Sequence, residues 1–363
     1  MEVRGDGAGY LASQPERQME WWYYCGHLRA GERRFGFHAA FFRRLTFEDR
    51  IAGSIPTEWM TPVVYYANFA MTDFEGRRFD YGHRRTFGGG AGAATDRFEV
   101  WLGSWRARGR QGEHEIEFDH GRSRLVLSLA AMKPAAVHGE GGFVQRVEGQ
   151  SGYHYSFSRM RAEGWLRTEE GEHEVEGTAW MDREFGNLVF NDELGGWDWM
   201  GIQLGNGREL SVYVTRDPGG RATRHSKVSL IDEGGSVTVF GAEEFSLTAH
   251  GTWKSPRTGT RYPCGWALAV PALELTLRID PSLRCQELDT RGTTEMIYWE
   301  GAAGVAGRWA GGEVEGRAYV ELVGYHDSHR DIGLLEYVGR RARYWIRGGE
   351  ESVCEEMEGG GEK

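Results

Sequence analysis

The chain has 363 residues, room for two or three domains, and 40% hydrophobic residues, enough to bury real cores. Its formal net charge of −11 argues against a nucleic-acid partner, because binding a phosphate backbone needs a cationic surface and no Lys/Arg run supplies one. With 54 Gly, 9 Pro and 14 Trp, the composition points to strands and tight turns rather than helices.

The N-terminal MEVRGDGAGYLASQPER has no apolar core of the kind a signal peptide needs. As given, the chain is expected in the cytoplasm, or in the periplasm or outside the cell if a signal has been trimmed. No window approaches the ~18–20 apolar residues of a membrane span, so no integral span is expected. Peripheral membrane contact for substrate uptake stays compatible with this reading. GGGAGA (88–93) invites a phosphate-loop reading, but no strand and helix bracket it, and a glycine-rich hairpin or loop is expected. LVLSLAA (125–131), ELSVYV (209–214) and the strictly alternating LELTLRI (273–279) read as strands. KVSLIDEGGSVTVF (227–240) reads as a hairpin turning at its EGG, and GAEEFSLTAH (241–250) as a short helix. The acidic, Gly-rich C-terminus reads as a disordered tail over residues 351–363.

Two phrases occur twice in the same order. WWYYCGHLRAG (21–31) and WDWMGIQLGNG (197–207) share Trp-x-aromatic, then His or Gln, Leu and Gly; EVEGTAWMD (174–182) and EVEGRAYVE (313–321) share Glu-Val-Glu-Gly-x-Ala-aromatic-x-acid. A fixed order of repeated phrases is the sign of a duplicated unit. The predicted fold is therefore all-β: two tandem antiparallel β-barrels from an internal duplication, an N-terminal domain over residues 1–190 and a C-terminal one over 191–350. Closure into barrels removes the exposed strand edges.

Residues 138–205 concentrate aromatics and acids at strand spacing. Residues i and i+2 of a strand share a face. Tyr153 and Tyr155 therefore share one, as do Trp180, Asp182 and Glu184, and likewise Trp197 and Trp199; His138 lies just upstream. On the inner wall of a barrel such a set would line an apolar cavity, and a carboxyl desolvated there would hold its proton and act as a general acid. The aromatic faces would steady a carbocation. A structural reading stands beside this one: Asp182 repeats as Glu321, and an acid kept in both units can serve to bond backbone N–H groups or an arginine such as Arg183 or Arg216. No cofactor and no metal are expected, since no His spacing suits a metal; the best local pair is His326 and His329. No GxSxG elbow offers a hydrolase nucleophile. Cys25, Cys264, Cys285 and Cys354 form no CxxC pair and are read as free and mostly buried.

EWWYYCGHL, KPAAVHGEGG, GYHYSFSRM, GTAWMDREFG and GWDWMGIQLGNGREL together resemble the AttH-like/CrtC-like lipocalin-related family, over residues 18 to 327. That family includes carotenoid 1,2-hydratases (hydroxyneurosporene synthases), and fungal pericyclases of the Diels–Alderase type look related in fold. The resemblance implies two packed lipocalin-like barrels with a ligand cavity in or between them. It also implies an apolar small-molecule ligand, a polyene or isoprenoid. The hydratases carry a His-x-Trp pair and a Tyr-x-Asp pair; the corresponding positions here are Tyr153-x-Tyr155 and Trp180-x-Asp182, of which only the acid matches. The expected function is acid-assisted hydration or cyclisation of a C=C bond, with Asp182 as the acid and the other named residues holding substrate. The alternatives are a pericyclase-type cyclase that uses no acid chemistry and a non-catalytic binding protein.

Overall fold

A computed structural model of the chain describes residues 9–46, 50–51, 55–56, 62–86, 89–147, 149–187, 194–326 and 352–355. Among them the fold is all β, apart from a 3₁₀ turn at Pro271–Leu273. A 14-stranded antiparallel sheet, drawn mainly from residues 19–187, curls into a nearly closed barrel; a 10-stranded sheet, from residues 196–323, forms a half-barrel. Each has its own core. Phe41, Phe69, Trp105 and Phe118 pack inside the first, and Leu268, Leu277, Ile279 and Trp299 inside the second. A third apolar cluster, with Tyr23, Cys25, Trp180, Trp199, Tyr213 and Tyr319, fills the seam where the two sheets meet.

The repeated phrases land in matching register. Strand Met19–Ala30 pairs with Gly171–Asn187 so that Leu28 opposes Gly177, Tyr23 opposes Asp182 and Trp21 opposes Glu184. Strand Gly196–Leu204 pairs with Gly312–Val323 so that Leu204 opposes Gly316, Trp199 opposes Glu321 and Trp197 opposes Val323. Several letters of the phrase have a visible job. Val175 and Val314 point into their own barrel cores. A Cβ on Gly177 would lie 2.0 Å from the His27 carbonyl oxygen, and one on Gly316 2.4 Å from that of Gln203, so a neighbouring backbone leaves room only for glycine. Trp180 and Tyr319 enter the seam, and the acids that end each phrase line the same cavity.

Several local expectations are corrected. Residues 241–250 hold no helix: Glu244 bonds the Gly241 N–H in a turn, and Ser246–Ala249 then pairs as a strand with Trp266–Val270. The alternating run begins its strand at Leu275, because Pro271 starts the 3₁₀ turn and Glu274 takes a left-handed φ of 49°. Ser352–Glu355, within the stretch read as a disordered tail, adds a strand to the first sheet on Arg78–Thr86; the rest of that stretch lies outside the described residues. Cys25 is free and buried and Cys264 is half-buried, but Cys285 is disulfide-bonded. The expected hairpin forms, Lys227–Ile231 with Val237–Gly241, its turn closed by the Asp232 carboxylate. GGGAGA runs into the short strand Ala91–Ala93.

Polar bonds lock the seam. Glu209 of the second sheet is fully buried and accepts from Lys133 (2.7 Å), Ser158 (2.9 Å) and Arg159 (2.6 Å) of the first half of the chain. Glu209→Gln keeps an acceptor but removes the charge that both cations meet. A loss of about 2 kcal/mol is expected, the scale of charge-assisted hydrogen bonds. Urea unfolding that shows no change would mean the seam does not depend on this hub.

Candidate functional site

The strands of both barrels that face the seam enclose a cavity of about 110 Å³. Trp21, Tyr23, Phe42, Trp197, Trp199 and Tyr213 supply its aromatic walls. Asp182, His154, Glu321 and the Glu184–Arg146 pair supply its polar groups. Both units contribute to the site: Tyr23 beside Asp182 on one side corresponds to Trp199 beside Glu321 on the other.

Asp182 is held by two donors on one oxygen. Its Oδ1 accepts from Trp180 Nε1 at 2.8 Å and from the Ser156 hydroxyl, and His154 Nε2 lies 3.2 Å away. Among the described residues no partner is recorded for Oδ2. Burial pushes the Asp182 carboxyl above its ordinary range, against the lowering effect of the Ser156 and Trp180 hydrogen bonds. Burial also lowers both neighbouring histidines, His154 to about 3 and His138 well below its usual value, so both are neutral. Since Ser156 donates to Asp182, the His138 Nε2, 2.8 Å from the hydroxyl, must donate to it in turn. The His138 and His154 rings stack at 4.1 Å. This relay places a serine between a histidine and an acid. In a nucleophilic triad the histidine lies in the middle, so Ser156 is a bridge and no nucleophile.

The other two acids are handled differently. Glu184 is paired with Arg146, Nε to Oε1 at 2.8 Å, and the guanidinium lies 4.1 Å over the Tyr213 ring. Among the described residues no cation pairs directly with Glu321; Trp197 Nε1 donates to it at 3.0 Å, and burial raises it to about 7. A carboxyl raised in the folded state holds its proton more tightly there than when unfolded. Its contribution is full below about 4.5 and is lost as pH rises through about 7. Glu321→Gln is therefore expected to match the parent near pH 4.5 and to exceed it near pH 8. The gain should be roughly 1–3 kcal/mol, since each tenfold change in proton affinity is worth about 1.4 kcal/mol and the cavity leaves the group some residual exposure. Equal stability gaps at the two pH values would show that Glu321 titrates normally.

The AttH-like family profile matches residues 10–325. The chain belongs to the AttH-like family. Among solved structures it is similar to a putative AttH from Nitrosomonas europaea, at 25% identity and a TM-score of 0.77, covering 89% of this chain and 99% of that one. It is also similar in fold to kievitone hydratase from Nectria haematococca, at 17% identity and a TM-score of 0.68, covering 89% and 96%. A third is CghA, at 13% identity and a TM-score of 0.57, covering 89% and 93%. No curated protein matches the chain by sequence.

Set on this AttH-like frame, the residues singled out in the sequence divide by strand face. Asp182, Glu184, Trp197 and Trp199 line the cavity. Trp180 stands behind Asp182 and His138 behind Ser156, both buried. The set lies outside the first barrel, in the seam, and not on an inner wall. Tyr153 and Tyr155 are on the opposite face of strand Gln150–Thr168. Tyr155 stacks on Tyr10 at 4.3 Å and Tyr153 on Phe185 at 5.3 Å, in and against the first barrel's core. The alternation that puts the two tyrosines together puts His154 and Ser156 on the seam face. Arg183 bonds Glu20, and Arg216 lies 3.2 Å from Asp198, so neither pairs with Asp182. His329 lies outside the described residues; among those described, no His/Cys/Asp/Glu group has a metal-binding arrangement. No helix of the described residues is long and apolar enough to cross a membrane.

Proposed function

We propose that the seam cavity is the active site of an enzyme that protonates a C=C bond of an apolar, isoprenoid-like substrate, with Asp182 as the acid. One observation carries the reading: Asp182 is enclosed among aromatics, its Oδ1 is taken by donors, and Oδ2 is left to hold the proton. The hydratase resemblance asks for a histidine near the acid, and His154 meets that need where Tyr153 does not. A hydratase of the same fold, kievitone hydratase, supports water addition as the reaction class.

In this reading the Asp182 proton passes to one alkene carbon and the cation forms at the other. Tyr23, Trp197 and Trp199 face the cation and stabilise it through their π-faces. Water adds to the cation and gives up a proton, which Glu321 accepts; its pKa of about 7 suits that exchange. Return of that proton to Asp182 through solvent resets the site. Where an internal double bond captures the cation instead, a ring closes and the positive charge moves to a new carbon; loss of a proton from its neighbour to Glu321 then gives a cyclic isomer, and no water is used. The cavity of about 110 Å³ is small beside the ~300–1,000 Å³ of ordinary ligand pockets, so it takes the reacting end of a long polyene and not its whole length.

The test is native mass spectrometry after incubation with a terpenoid and lipid extract, with products analysed in parallel. A product heavier by one water supports hydration, and an isomer of equal mass supports cyclisation. A ligand bound and recovered unchanged makes the protein a carrier and removes the catalytic reading.

A further inference from the structure

The seam cavity, at about 110 Å³, leaves most of a long apolar chain unhoused, and the strand register shows where the rest can lie. Trp21 shares a face of strand Met19–Ala30 with Tyr23, two positions away. It stands opposite Phe42 of strand Arg33–Leu45, and Phe42 stands opposite Tyr66 of strand Val63–Asp73. The three rings form one row across three neighbouring strands. Trp21 and Phe42 line the cavity with their centroids 6.4 Å apart, and Phe42 stacks on Tyr66 at 5.0 Å with an interplanar angle of 15°. The row therefore starts in the cavity wall and runs beyond it. At ~4.8 Å between strands it covers roughly 10 Å from Trp21 to Tyr66.

Opposed rings stabilise a pair of strands, and that explains part of the row. It does not explain the exposure. All three rings are half-buried, while Trp22 and Phe41, their neighbours in the chain, are buried in the first barrel's core. Phe42 and Tyr66 use their faces on each other, so their edges are what a guest would meet. Other sides of the cavity are polar. Ser156 and His154 lie behind Asp182, and the Glu184–Arg146 pair and Glu321 hold two more. Beside the row, Tyr23 donates to Glu300 at 2.6 Å and Asn68 to Tyr298 at 2.7 Å, which closes the seam with hydrogen bonds. The row ends at Arg85, opposite Tyr66, whose guanidinium donates to the Thr293 carbonyl at 2.8 Å.

We infer that the row Trp21–Phe42–Tyr66 is a tail subsite, which carries the unreactive chain of an isoprenoid-like substrate while the reacting end sits beside Asp182. Tyr66 is then a specificity-determining residue for chain length. This rests on the reading of the seam as a site for apolar chains. A chain laid across the ring edges removes carbon surface from water on both partners, and the gain grows with each unit added until Arg85 ends the row.

The test is titration of the intact protein with geraniol, farnesol and geranylgeraniol, each one isoprene unit longer than the last, followed by quenching of tryptophan fluorescence. In the parent, geranylgeraniol is expected to bind at least about tenfold tighter than geraniol. Tyr66→Ser should bring that ratio to within about threefold by weakening the longer alcohols, with geraniol unchanged. The unchanged geraniol affinity also shows that this variant is folded. Tyr66→Phe keeps the ring and should keep the ratio. Asp182→Asn should keep it too, so the acid and the tail subsite are read apart. Turnover lost in Asp182→Asn beside an unchanged ratio in Tyr66→Ser overturns the tail subsite alone. Absence of binding, or equal affinity of the parent for the three alcohols, overturns it as well.

Discussion

Asp182→Asn is expected to reduce turnover about 10²- to 10⁴-fold, the usual worth of a positioned acid, while leaving ligand affinity within a few-fold. The substitution is nearly isosteric. The amide oxygen can still receive the Trp180 and Ser156 donors that Oδ1 receives now, so the packing of the wall is kept. What is lost is a proton that can leave. The parent's turnover should also fall as pH rises through the elevated Asp182 pKa, because only the protonated form acts. That limb of the profile should vanish from the residual activity of the variant. Single-turnover product formation, measured beside ligand binding, separates the two effects. Turnover within tenfold of the parent would remove acid catalysis and favour a cyclase that works by folding its substrate between the aromatic walls.

Arg183→Met is expected to cost about 3–5 kcal/mol of stability, the range for breaking one side of a buried ion pair. Arg183 and Glu20 are both fully buried and bonded to each other. The guanidinium also donates to the carbonyls of Tyr10 (2.9 Å), Ala12 (2.9 Å) and Glu184 (2.9 Å), and lies 4.0 Å over the Trp22 ring. Methionine fills much of the volume but leaves a carboxylate and several carbonyls without their donor. Among the described residues Glu20 would retain Ser13, the Gln14 N–H and the more distant Arg43. Urea unfolding followed by tryptophan fluorescence measures the loss. Because Arg183 holds residues 10–12 against the strand next to Asp182, a loss below about 1 kcal/mol would mean that segment is anchored elsewhere.

The duplicated phrases make the two-barrel fold readable, because their glycines and valines answer to constraints that repeat. Gly177 and Gly316 are glycines for one steric reason, and Val175 and Val314 are core residues for another. The alternation in Trp180, Asp182 and Glu184 correctly groups one face. It cannot say which side of the barrel wall that face is on, since both sides of these strands are buried, one in a core and one in the seam. The same limit favours Tyr153 and Tyr155 over His154 and Ser156: the aromatic face looks more like a pocket, yet it belongs to the core. Glu321 is visible in the sequence as the twin of Asp182, but the repeat alone suggests only a structural role for it. The partners of these groups are distant in sequence, such as Glu20 for Arg183, and local spacing carries no trace of them. The strand at Ser352–Glu355 is hidden for a related reason: its acidic, glycine-rich surroundings resemble a solvated tail, while its pairing with Arg78–Thr86 is supplied by a sheet edge far back in the chain.

A cavity built from two copies of one unit offers a guest two nearly equivalent orientations, head to tail or reversed. The tie is broken by the furniture around each acid. Asp182 has a hydroxyl and two stacked imidazoles behind it, whereas Glu321 has one indole and, on the neighbouring strand, Glu300 where the first copy has Ser156. Regiochemistry and the handedness of any product would therefore be set by the drift between the two halves after they were joined, in the residues behind the acids more than in the acids themselves.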